Sequence, residues 1–219
     1  MKELTLVIPA KFEADSLPKV LSEAENFNCK ILVILEENDI ETIKAIQEKK
    51  VKIVYQSSKG YGNAIREGIQ KVDTDFMCIF NADGSFDPKY LEEKLLMCKE
   101  KYELIFSSRY LDNAGSDDDT ILTKIGNFFF SKFGNILFDL KLSDILYTFI
   151  VGRTSSFKKL NLKSNDFCLC VEIPIKAKKL NISYNEIPSY ERKRIAGFKK
   201  VNEFRDGFKI LIYMIKSLI

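Results

Sequence analysis

At 219 residues, with 46% apolar and 30% charged side chains, the chain has the composition of one soluble globular domain, able to bury about 70% of its unfolded surface. Histidine is absent, which excludes Ser-His-Asp nucleophiles, histidine zinc sites and imidazole bases. Net charge is only +3, but from Tyr190 onward eight basic residues face three acidic ones, an end suited to phosphate, acidic lipid or nucleic acid.

The first half alternates short apolar runs with amphipathic ones. Residues 4–8, 31–35, 52–55, 76–80 and 104–107 read as strands. Between them, Leu17, Val20, Leu21 and Ala24 follow helical spacing, and Leu91, Leu95 and Cys98 repeat at four and three. Strands without strict alternation, joined by helices, predict a mostly parallel sheet covered on both faces, a Rossmann-like α/β architecture. Residues 111–120 read as a mobile polar loop carrying Asp117, Asp118 and Asp119. A phenylalanine-rich helix over 121–137 follows, then a strand over 147–151, a helix over 172–179 and a strand over 182–187. The chain closes on a helix with Phe204, Phe208, Leu211, Ile215 and Leu218 on one stripe. Residues 1–219 form a single domain on this reading, with a first half to residue 110 and a second half beyond it.

Five cysteines without paired spacing read as reduced thiols, and Cys168-x-Cys170 is too tight for a zinc knuckle. The opening strand is too short for a signal-peptide core, and no window supplies a membrane span. A cytoplasmic protein is expected, with association at the inner membrane face left open. Oligomeric state, including a homo-oligomer, is not legible.

The most informative stretch is Phe80-Asn81-Ala82-Asp83-Gly84-Ser85-Phe86-Asp87-Pro88. It puts the Asp83 carboxylate just past a buried strand, where open α/β sheets bind ligands, and closes on an Asp-Pro helix start. A carboxylate there suits a hard dication, which in turn suits a diphosphate. The plainer reading is an acidic turn.

Several segments then resemble the family 2 glycosyltransferases, especially the branch with dolichol-phosphate mannose synthase and related polyprenyl-phosphate sugar transferases. Val7-Ile8-Pro9-Ala10-Lys11-Phe12-Glu13 resembles the family's first strand end, with Phe12 in place of asparagine. Leu35-Glu36-Glu37-Asn38-Asp39 stands where the family has paired aspartates, and Lys59-Gly60-Tyr61-Gly62-Asn63 resembles its glycine-bearing helix start. Asn81-Ala82-Asp83 matches the Asp-x-Asp region with its first aspartate changed, and Ser107-Ser108-Arg109-Tyr110 resembles Gly-Ser-Arg-Tyr. Ser143-Asp144 falls in the acceptor region, Phe167 to Glu172 resembles a segment with a buried glutamate, and Arg194 to Lys200 resembles Arg-x-x-Gly-x-Ser-Lys.

The resemblance implies a glycosyltransferase-A fold and inverting transfer from a nucleotide-diphosphate sugar. Pro9, Ala10, Glu13, Glu36, Glu37, Gly60, Asn63, Ala82, Asp83 and Arg192 are the implied donor-binding residues, and Asp83 with Asn81 the implied ligands of Mg2+ or Mn2+. Asp83, Asp144, Arg194 and Lys200 are the implied catalytic residues. A polyprenyl phosphate is the leading acceptor, its oxygen already anionic; a hydroxyl acceptor needs a base, for which Asp144 stands first. Asp144 reads equally as a turn cap, Glu172 as a structural ion pair, and the phenylalanine helix as core. A non-catalytic module of the same fold is the alternative that Asn81 favours. No nucleic acid is expected, since the basic tail has no known binding motif beside it.

Overall fold

The computed structural model describes residues 1–218. In chain order it contains β1 (Leu4–Pro9), α1 (Leu17–Glu25), β2 (Lys30–Leu35), α2 (Ile40–Ala45), β3 (Lys52–Tyr55), α3 (Tyr61–Lys71), β4 (Phe76–Ile79), α4 (Leu91–Glu100) and β5 (Leu104–Ser108). Then follow β6 (Gly115–Ser116), α5 (Ile121–Phe138), β7 (Val151–Arg153), α6 (Thr154–Lys159), α7 (Leu169–Lys179), β8 (Tyr184–Pro188), β9 (Tyr190–Glu191) and α8 (Glu203–Lys216).

Seven strands form one sheet in the order β3-β2-β1-β4-β7-β5-β8, and only β7 runs antiparallel to its neighbours. Alternate side chains of each central strand enter different layers. Val7, Leu32, Ile34, Met77 and Ile79 pack with α3, α6, α7 and α8. Leu6, Ile8, Val33, Leu35 and Cys78 pack with α1 and α4. Both faces are covered, so these strands are apolar throughout rather than alternating. The expected α/β glycosyltransferase-A architecture is present, and its sheet takes strands from both sides of residue 110.

Two sequence expectations change. Residues 147–150 are irregular; the strand begins only at Val151, because Tyr147 and Thr148 turn towards a cleft while Phe149 and Ile150 enter the core. Residues 111–120 are tied down rather than loose. Gly115–Ser116 pair in parallel with Tyr190–Glu191, and Ser116 Oγ accepts from the backbone N–H of Asp118 and Asp119. The segment is polar because its carboxylates meet arginines from elsewhere.

Candidate active site

A cleft of about 710 Å³ opens at the C-terminal ends of β1, β2, β4 and β5. Parallel strands all end on this side, so the loops that follow them converge there. Pro9 ends β1 and Ala10, Lys11 and Glu13 follow it, Glu36 follows β2, Asn81 to Asp83 follow β4, and Arg109 follows β5.

The β1 loop is held open by its neighbours. Phe12 adopts a positive φ of 55°, and its N–H donates to Asp39 Oδ2 at 2.7 Å. Asp39 also caps α2 through the Thr42 N–H. Glu13 is buried; it accepts from Ser16 Oγ at 2.7 Å and lies 3.1 Å from Lys200 Nζ. Glu36 pairs with Lys11 at 2.7 Å, while Glu37 is exposed and lies outside the cleft lining.

The Asp83 loop is clamped from behind. Asp83 Oδ1 accepts from the Ser85 N–H at 3.0 Å, and Oδ2 lies 3.8 Å from Arg194. The Arg192 guanidinium donates to the Gly84 and Phe86 carbonyls and pairs with Glu23 at 2.8 Å. Arg192, expected as a donor contact, thus ties down the loop and is not among the residues that line the cleft. Ile195 N–H donates to Asp83 O, and Gly84 needs its φ of +82° and its bare Cα because a Cβ would sit 2.4 Å from Ile195 Cδ1.

Gly60 and Gly62 also have a use that the sequence did not reveal. A Cβ on Gly60 would lie 2.1 Å from Asn165 O, and one on Gly62 2.5 Å from Ser164 O. The backbone of residues 164–166 thus crowds the start of α3, and Asn165 O accepts from the Asn63 N–H. These glycines admit a neighbouring loop; Gly60 nevertheless borders the cleft. Asn63 does not: its side chain donates to Ser58 O and Glu67 at 2.6 and 2.7 Å. Glu172 is fully buried, accepts from the Lys163 and Ser164 N–H groups and pairs with Lys176, so it orders that crowding loop.

The far wall is an ion-pair network. Arg109 donates from Nε and Nη2 to both oxygens of Asp144, at 2.7 and 3.0 Å. Its Nη1 reaches Asp119 and Glu191, each at 3.2 Å. Asp144, expected as a catalytic residue, is fully buried, is not part of the cleft lining and has both carboxylate oxygens bonded to Arg109. Arg194 donates from Nε to Asp118 at 3.1 Å, and that bond holds its guanidinium above the usual range. Burial raises the Glu191 carboxyl, against the lowering effect of Arg109.

Pro9, Ala10, Glu13, Glu36, Gly60, Asn81, Ala82, Asp83, Arg194 and Lys200 are thus brought together around one cleft, and Glu37, Asn63, Arg192 and Asp144 are not among its lining. Arg109, Asp118, Asp119 and Glu191 line it without having been singled out for a role. The run Asp117-Asp118-Asp119 marked the aspartates in the sequence but did not name Arg109 and Arg194 as their partners. Tyr61 stacks on Phe167 with centroids 5.0 Å apart, another pair that borders the cleft.

Among the described residues no three His, Cys, Asp or Glu side chains converge on a metal position. The Asp83 carboxylate and the Asn81 carbonyl form a sparse donor set, with Asn81 Nδ2 donating to Ser85 Oγ at 3.3 Å. Such a set fits a hard dication that keeps several waters and takes phosphate oxygens, and does not fit an all-protein cage.

Comparison with known proteins agrees with this geometry. Glycosyltransferase AglJ of Haloferax volcanii is 20% identical over 92% of this chain and 67% of its own length. An uncharacterized glycosyltransferase of Mycobacterium tuberculosis is 30% identical over 41% of this chain and 43% of its own length. Glucosyl-3-phosphoglycerate synthase from Mycobacterium tuberculosis, in complex with Mn2+, uridine diphosphate and glucosyl-3-phosphoglycerate, superposes with a TM-score of 0.77 at 10% identity, covering 98% of this chain and 79% of that one. Mannosyl-3-phosphoglycerate synthase from Rubrobacter xylanophilus gives 0.69 at 13% identity, covering 98% and 72%. The family model "Glycosyl transferase family 2" matches residues 5–161, most of the chain, and the protein belongs to that family.

Proposed function

We propose that the protein transfers a sugar, with inversion, from a nucleoside-diphosphate sugar to a polyprenyl phosphate at the cytoplasmic face of a membrane. The observation that carries this reading is the convergence of Asp83 and Asn81 with Arg194 and Lys200 at one strand-end cleft. The donor's ribose and base lie against Pro9, Ala10, Glu13 and Glu36, whose carboxylates accept from hydroxyl or N–H groups. Asp83 and Asn81 would hold a Mg2+ or Mn2+ ion, which would supply Lewis-acid neutralisation of the diphosphate. As the glycosidic bond breaks, negative charge grows on the departing diphosphate, and Arg194 and Lys200 stabilise it. Glu13, 3.1 Å from Lys200, keeps that ammonium at the cleft wall.

A phosphate oxygen attacks without a base, and this agrees with the engagement of Asp144 by Arg109. The phosphoglycerate named for the structural neighbours is another anionic acceptor, but their 10–13% identity supports the fold alone. A second reading, transfer to a hydroxyl of a glycan, is favoured by one feature: Glu191 is a cleft-lining carboxyl with a raised pKa, suited to accept a proton.

Thermal denaturation with a panel of nucleoside diphosphates and nucleotide-sugars, with and without Mg2+ or Mn2+, tests the donor half. Saturation at a hundredfold excess over Kd adds about 2.7 kcal/mol. A metal-dependent shift with one base names the donor, whereas no shift with any of them overturns the reading. An Asn81→Asp variant adds one formal charge and is expected to bind metal more tightly; unchanged metal affinity and turnover would remove Asn81 from the ligand set. Turnover with a short-chain polyprenyl phosphate that survives Glu191→Gln supports the phosphate acceptor. Turnover with a hydroxyl acceptor only, lowered about a hundredfold or more in kcat by Glu191→Gln, supports the hydroxyl reading.

A further inference from the structure

The exposed apolar surface of the molecule is concentrated on two touching helices. On α5, Ile121, Ile125 and Phe128 point outward at helical spacing, Phe128 at 68% exposure. On α8, Phe204, Phe208 and Ile215 do the same, Phe208 at 64%. The helices meet through their small residues: a Cβ on Gly134 would lie 3.4 Å from Met214 Cε, and one on Gly207 3.8 Å from the Phe130 ring. Each helix thus spends its inner face on the core and its partner, and leaves an outer stripe uncovered. Large apolar side chains standing together in water mark a surface that something covers.

Charge selects the occupant. The 18 residues of α5 contain no acidic side chain, and their only charges are the exposed Lys124 and Lys132. On α8, Asp206 is buried and pairs with Arg205, Glu203 pairs with Lys199, Lys209 is exposed but pairs with Asp166 at 3.3 Å, and Lys216 is exposed. A second copy of the chain would bring this lysine-edged face against itself, lysine to lysine. Anionic headgroups would neutralise it, and acyl chains would cover the phenylalanines. Arg205 and Lys209 of α8 also line the catalytic cleft, so the apolar stripe runs up to the cleft mouth.

We infer that the joined outer faces of α5 and α8 are a docking surface for an anionic lipid bilayer, which seats the cleft mouth at headgroup level. The inference rests on the proposed lipid-phosphate acceptor only for the use to which that placement is put; the docking itself needs neither donor nor acceptor.

Cosedimentation of the protein with phosphatidylcholine vesicles, with and without phosphatidylglycerol, tests it. Binding is expected to require the anionic lipid and to weaken as salt is raised. The double variant Phe128→Ser/Phe208→Ser is expected to lower the partition coefficient by about a hundredfold. Lys124→Glu/Lys132→Glu, which changes only exposed charges and keeps the test open if the first variant misfolds, is expected to lower it by about tenfold or more. No preference for anionic vesicles, or vesicle binding untouched by both variants, overturns the inference. So does a concentration-dependent dimer that Phe128→Ser/Phe208→Ser abolishes, since a second copy then covers the face. Nucleoside diphosphate binding without vesicle binding discards the docking surface and leaves the transferase reading standing; vesicle binding without nucleotide binding does the reverse.

Discussion

Two cations in this molecule, one mostly and one fully buried, live under opposite conditions. Arg109, at the cleft wall, meets three carboxylates: Asp144, Asp119 and Glu191. Lys94, on α4, is fully buried, and its Nζ has no hydrogen-bond partner among the described residues; it stands 2.9 Å from the centre of the Phe149 ring. Burial acts to lower both pKa values, but Asp144 and then Glu191 outweigh it for Arg109 and hold it well above its ordinary range. Nothing outweighs it for Lys94, which is driven well below. A buried charge persists where partners replace the water it lost, and otherwise gives up its proton. The partnered cation lines the strand-end cleft; the unpartnered one sits in the hydrophobic core.

The largest effect is expected from removing the partnered cation. Arg109→Met leaves Asp144, Asp119 and Glu191 facing one another in a mostly buried space, and should destabilise the fold by about 3–5 kcal/mol at neutral pH. The Glu191 carboxyl, already raised by burial, loses the Arg109 effect that lowers it, so its folded pKa stands further above the unfolded one in the variant. The deficit must then shrink as pH falls through that range, and urea denaturation at pH 7 and pH 5 reads both features. A deficit that stays constant or grows on acidification would show that packing, not charge, gives Arg109 its importance.

A smaller effect isolates backbone crowding from charge. Gly60→Ala places a Cβ 2.1 Å from Asn165 O at a φ of +121°, with no ionisable group altered. The clash and the left-handed backbone together should destabilise by about 2–3 kcal/mol, with no pH dependence between pH 5 and 8. Thermal melts across that range check it. A pH-dependent loss would mean that the change reaches the neighbouring ion pair between Asp166 and Lys209.

These particulars also mark what the sequence could and could not reveal. The sheet was legible because burial on both faces forces continuous apolar runs, and residues 4–8 or 31–35 have no other reading at that length. The strand-end carboxylates were legible for the same reason: once the strands are placed, Glu13, Glu36 and Asp83 must follow them. The far wall was not. Whether Asp118 and Asp119 are a solvated loop or the partners of Arg194 and Arg109 depends on a pairing between Gly115–Ser116 and Tyr190–Glu191, some 75 positions apart. No local pattern encodes that pairing. The pairing of Asp144 with Arg109 was hidden for a related reason, since no local pattern shows which cation lies beside a carboxylate. Arg192 and Arg194, two positions apart, diverge in the same way: one clamps the Asp83 loop by its carbonyls, the other faces the cleft.

The smallest expected effect completes the contrast between the cations. Lys94→Met keeps an unbranched, apolar side chain one atom shorter than lysine and removes the amine, which has no hydrogen-bond partner and faces the Phe149 ring. The change should stabilise the protein by about 1–2 kcal/mol at neutral pH, since a lone buried polar group is replaced by an apolar one of similar shape. The sign of the pH dependence follows from proton counting. With the folded pKa of Lys94 depressed, the unfolded chain binds one more proton than the folded chain between the two pKa values. The stability of the parent protein therefore rises with pH up to the unfolded lysine value of about 10.4. The methionine variant lacks that slope, so its advantage must widen as pH is lowered from 10 towards neutrality. Parallel denaturation curves at pH 7 and pH 9.5 measure the difference. A gap that is equal at both would place a charged ammonium in the core, and the distinction between Lys94 and Arg109 would then rest on the ring of Phe149 acting as a partner in its own right.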